Sequence, residues 1–183
     1  MKNKILFSSL LFLLFSLFVY SVELKEFYKL FPPIPDWEAS EPVGVRIDVD
    51  NIYTLRVERM YKNEDKYIKF SIIGGSEAEA LWRPFLLKVS YEYDNEWRKI
   101  EKGGKELVGV YYNKGKKFGE LVLPFEKEKK IIAVFLVEFS NLSSKRALSI
   151  LKEIDLKELK NLVLRDLEDF KASTEEQEKP QKK

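Results

Sequence analysis

Hydrophobic residues change period several times along the chain, and each change marks an element. Ile5 to Val22 carries no charge and is rich in Leu and Phe. Beyond it, Leu24, Phe27, Tyr28 and Phe31 recur at i, i+3, i+4 and i+7, which predicts a short amphipathic helix over 23–31, stopped by Pro32 and Pro33. From Val43 the period falls to two. Val43, Val45, Ile47 and Val49 alternate with Gly44, Arg46 and Asp48, and after Asp50-Asn51 a second alternation runs through Tyr53, Leu55, Val57, Arg59 and Tyr61. A polar KNEDK turn leads to a third strand, Tyr67 to Ile73, before Gly74-Gly75. Three strands with short polar connections predict an antiparallel meander.

Residues 76–98 fit two templates. A helix over about 77–93, capped by Ser76, puts Trp82, Leu86, Val89, Tyr93 and Trp97 in one stripe. A hairpin turning at Asp94-Asn95 fits the alternation of KVSYEY and EWRKIE equally. The helix is preferred because Pro84 suits a central strand worse than an early helical turn.

Four more strands follow: Trp97 to Glu101, Glu106 to Tyr112, Gly119 to Pro124 and Ile131 to Phe139. IIAVFLVEF is the most continuously apolar and is placed centrally. Ser143 or Ser144 opens a helix carrying Ala147, Leu148, Leu151 and Ile154. Asp155 and Glu158 form a capping box for the next, whose stripe is Leu156, Leu159, Val163, Leu167 and Phe170. The expected fold is α+β, a single antiparallel sheet of about seven strands with helices packed on one face. One domain is expected over 22–170, and STEEQEKPQKK places 171–183 in a disordered charged tail.

Composition adds an address. Lys2 and Lys4 precede the apolar run and Val19-Tyr20-Ser21 ends it, so 1–21 is read as an export signal cleaved after Ser21, with a periplasmic or extracellular destination. The alternative is an uncleaved anchor over residues 5–22, since about 17 apolar residues reach the lower limit for a membrane-crossing helix. The chain has no cysteine, which excludes a lipid-modified N-terminus and a disulfide framework; the core alone must hold the fold. Lys2 and Lys4 account for the formal charge of +2, so the rest is neutral and carries no electrostatic footprint for nucleic acid. Abundant Lys and Glu, with glutamine confined to Gln177 and Gln181, suggest a heat-adapted source.

Without histidine or cysteine the chain cannot build a Ser-His-Asp triad, a thiol nucleophile or a His-ligated metal centre. No nucleophile elbow or phosphate loop stands in it. No catalytic residue, metal or cofactor is therefore assigned, and a hydrolase using Ser-Lys or paired carboxylates is the remote alternative. Gly74-Gly75-Ser76 and Asp48-Val49-Asp50-Asn51 are read as turns rather than as anion or calcium sites. Arg59 shares a strand face with Tyr53, Leu55, Val57 and Tyr61, so it needs an acidic or carbonyl partner. It is read as a structural arginine, its stem on aromatic rings. The competing reading makes Trp37, Arg59, Tyr61 and Trp82 the lining of a small-ligand cleft. LFPPIPDW, residues 30 to 37, is read as a proline-stiffened strap over the core rather than a displayed recognition motif.

LFPPIPDWEASEP, VERMY, IKFSIIGG and LKEIDLKELKNL together resemble a group of small exported bacterial proteins. These share a Leu-Pro...Pro-Gly-Trp start, an Arg-x-Tyr strand and an Ile-Asp-Leu...Leu closing helix. Asp36 stands here where the group has glycine. The resemblance implies export and a compact α+β fold and supplies no catalytic residues. In layout alone the chain is also similar to photosystem accessory proteins of the PsbP type, a likeness that carries no function. The expected role is a non-catalytic envelope protein that binds an unidentified protein partner through a sheet face or strand edge, touching the membrane only if the leader is retained.

Overall fold

Two antiparallel meanders meet at one seam. In the computed structural model, which describes residues 22–49, 52–87, 90–103 and 106–177, a sheet of nine strands runs without a parallel pair. The first meander holds β1 (Glu38–Ala39), β2 (Val43–Val49), β3 (Ile52–Asn63) and β4 (Lys66–Gly74). The second holds β5 (Tyr91–Tyr93), β6 (Glu96–Gly103), β7 (Glu106–Asn113), β8 (Phe118–Lys127) and β9 (Lys130–Ser140). The order is β1-β3-β4-β9-β8-β7-β6-β5, with β2 beside β1 along the outer edge of β3. β4 and β9 form the seam, Ile72 opposite Phe135. The apolar run of β9 thus lies in the interior of the sheet, where both faces are covered.

On the first face, odd positions of β3, β8 and β9 and even positions of β4 and β7 meet three helices. These are α1 (Leu24–Lys29), α3 (Ser144–Leu151) and α4 (Leu156–Gln177), with the intervening α2 (Ser76–Trp82) elsewhere. Phe27, Phe31, Leu55, Phe70, Phe135, Phe139, Leu159 and Val163 are fully or almost fully buried in this core. Ser143 caps α3 through Arg146 N at 3.2 Å, and Asp155 Oδ1 accepts from Glu158 N at 2.9 Å ahead of α4.

Four expectations need correction. The sheet has nine strands rather than about seven, because two-residue β1 is too short to show an alternation and β5 lies in the segment expected as a helix. Helices occupy both faces: α2 packs Ala78 and Trp82, with Phe85 just after it, on Ile73, Val122, Val134 and Leu136 of the second face. The helix expected over 77–93 ends at Trp82, passes through a 3-10 turn at Arg83–Phe85, and gives way to the β5–β6 hairpin at Asp94-Asn95. Pro84 removes an amide donor there, so an α-helix cannot continue unbroken. Finally, α4 continues to Gln177, into the segment expected as tail.

β2 is a strand as expected, and its polar positions face the helices. Its register, Gly44 opposite Val57 and Arg46 opposite Leu55, turns Gly44 and Arg46 toward the helices. Val43, Val45 and Ile47 are exposed on the second face. Gly44 leaves room for Tyr28, whose Oη would lie 3.1 Å from an added Cβ. Arg46 is accommodated because α4 brings Asp166, 1% exposed, to its Nη1. Tyr53 Oη donates to the other Asp166 oxygen at 2.7 Å. Burial pushes the carboxyl of Asp166 up, against the pull of Tyr53 and Arg46.

Candidate functional site

Beside α2, the second face carries a row of side chains that crosses the sheet. Residues directly opposite in antiparallel strands point to the same side. Register therefore aligns Tyr91, Arg98, Tyr111, Glu120, Glu138, Lys69 and Met60 from one edge to the other. A second row, Tyr93, Glu96, Asn113, Phe118, Ser140, Tyr67 and Lys62, runs alongside. α2 and its 3-10 turn are the only helical elements packed on this face among the described residues.

Arg98 lies at the aromatic end of the first row. Its Cζ is 5.3 Å from the ring centre of Tyr91, 5.4 Å from Phe85 and 5.8 Å from Tyr111. Three electron-rich faces compensate a guanidinium that no carboxylate pairs with among the described residues, at about 0.5–2 kcal/mol for each favourable contact. Its Nε is buried without a hydrogen-bond partner among the described residues. Phe85 reaches this position because residue 109 is glycine: an added Cβ would meet the Phe85 ring at 2.6 Å.

Glu120 and Glu138 stand directly opposite each other. Lys69 binds Glu138 and also faces Glu58 at 3.9 Å. Burial opposes the charge on Lys69, but these two carboxylates raise its pKa overall. The Glu120 carboxylate has no hydrogen bond or ion pair among the described residues; burial, then the nearby Glu138, push it above the usual carboxylate range against the more distant pull of Arg98. Beside it, Asn113 Nδ2 donates to Glu96 Oε1 at 2.7 Å and fixes the start of the second row. At the far end, Glu38, Ala39, Ser40, Met60 and Lys62 border an open groove of about 290 Å³. The row thus offers aromatic surface, one cation without a carboxylate partner and one carboxylate without a cation in contact.

The sequence-predicted residues fall in two places. Arg59 and Tyr61 lie on the first face, and Trp37 packs against the same core. Arg59 donates from Nη1 to the Phe31 carbonyl at 2.9 Å and from Nε to the Ser40 carbonyl at 3.0 Å, with Cζ 5.4 Å over the Tyr61 ring. Tyr61 is fully buried, donates to the Pro32 carbonyl at 2.9 Å, and burial raises its hydroxyl to about 12. These bonds fasten the strap, whose Phe31 and Ile34 are buried. Asp36 adopts φ 66, the left-handed conformation a glycine would take most easily, and its carbonyl accepts from Asn63 at 2.6 Å. Trp82 is on the opposite face, stacked on Phe85 at 5.4 Å. The four therefore do not meet around one cleft.

Gly75, at φ 86, forms the turn into α2. Asp50 and Asn51 of the weighed calcium motif lie outside the described residues. No group of three or more acidic residues is placed to hold a metal ion among the described residues. No described helix is long and apolar enough to cross a membrane. Compared with known proteins, the chain matches no family model, no curated protein and no solved structure.

Proposed function

We propose that the chain is an exported, non-catalytic envelope protein that holds a protein partner against the second face of its sheet. The observation that carries this is the row from Tyr91 to Met60, with its ring-stacked guanidinium and a Glu120 that no cation touches among the described residues. Tyr93, 72% exposed, and Tyr91 extend the aromatic surface to the sheet edge. Tyrosine and arginine are the side chains through which protein interfaces concentrate their binding energy. The partner surface that fits carries an acidic group for Arg98 and a basic group for Glu120, set about two strand spacings apart, on the order of 10 Å.

A photo-crosslinking residue at Tyr93, in the native envelope, tests the reading against the same residue at Lys152, beyond α3 on the other side. One discrete adduct is expected from position 93, weakened by Arg98→Gln, and none from position 152. Identical adducts from both positions, or none from either, would defeat the proposal.

A further inference from the structure

We propose that removal of the leader after Ser21 creates an α-ammonium at Val22 that Asp169 is placed to receive. The inference rests on the export reading. Hydrolysis by a signal peptidase consumes one water: the Ser21–Val22 bond breaks, Ser21 leaves with the carboxylate, and Val22 keeps the nitrogen, protonated at neutral pH.

Val22 is already held where such a terminus would be needed. Its side chain is 7% exposed, its backbone nitrogen lies 3.2 Å from Asp169 Oδ2, and its carbonyl accepts from Arg46 Nη1 at 2.9 Å. The same Nη1 binds Asp166, one helical turn before Asp169. Arg46 thus pairs with Asp166, whereas the partner of Asp169 is the Val22 nitrogen, and no ion pair serves Asp169 among the described residues. An amide N–H gives Asp169 a donor without charge. An ammonium in the same place gives both, and ion-assisted hydrogen bonds are the stronger kind. The sequence separation of 147 residues between these groups means that the pair ties the first described residue to α4.

The test begins with the full chain exported in a bacterial host and the intact mass of the product. The mass of a chain beginning at Val22 is expected. A retained leader would overturn the export reading and this inference together, while cleavage at another bond would overturn the inference alone. In a second arm, one glycine inserted between Ser21 and Val22 moves the amine outward by one residue. The insertion should lower the melting temperature in the wild-type background and change nothing in Asp169→Asn. Equal losses in both backgrounds, or none in either, would sink the pairing. If Asp169→Asn does not fold, acylation at neutral pH decides instead. The Val22 amine should react about tenfold more slowly than the displaced glycine amine, the effect of one pKa unit; equal rates would contradict it.

Discussion

Arg59 and Arg98 both stand on strands beside aromatic rings, yet among the described residues only Arg59 finds acceptors for its donors. Arg59 faces the strap, whose carbonyls at Phe31 and Ser40 take its donors. Its need for an acidic or carbonyl partner was legible from the strand alternation alone. Arg98 was not, because its rings come from Phe85, Tyr91 and Tyr111, three segments that only the sheet register brings together. Glu120 was equally hidden, since Glu138 becomes its neighbour through the β8–β9 pairing. Its raised pKa has a consequence for stability. Between the ordinary glutamate range and the raised value, the native state binds more protons than the unfolded chain, so stability falls as pH rises through that window. Glu120→Gln should therefore raise the melting temperature at neutral pH, with the gain vanishing below the ordinary glutamate range. A melting series across pH measures it.

At the level of elements, alternation located most strands correctly, since period-two patterning survives wherever one face is buried. It could not tell which face of β2 is inward. Pairing with β3 and the carboxylate of Asp166 turn Gly44 and Arg46 inward and leave Val43, Val45 and Ile47 exposed. The helical stripe from Trp82 to Trp97 misled for a related reason: an aromatic every few residues fits two periods, and Pro84 decides between them. Asp166 is the hinge of the β2–α4 contact. Asp166→Ala would remove the carboxylate that Arg46 and the Tyr53 hydroxyl share, leaving Arg46 its bond to the Val22 carbonyl. Because the Arg46 side chain keeps 22% exposure, the loss should be near the lower end for a broken buried pair, about 3 kcal/mol. Urea unfolding at neutral pH provides the number, and Tyr53→Phe should cost less because the ion pair survives.

Across the whole molecule, one sheet separates two unequal layers, a large core under α1, α3 and α4 and a smaller one under α2. The sequence implied the larger layer through its helical stripes; the smaller one depends on a seven-residue helix whose partners lie in β4, β8 and β9. Since β4 and β9 contribute to both, the layers should melt as one unit. In a variant keeping Trp82 as its sole tryptophan, fluorescence and far-UV circular dichroism should give coincident transitions; separated midpoints would show two units. The Arg46–Asp166 pair spans 120 residues. A nascent chain can therefore zip its first hairpins early, but the lock for β2 is synthesised long after them. Until the ribosome has finished α4, β2 at the edge of the sheet remains an unfastened hem, and a chain in that condition can still be threaded through a narrow pore.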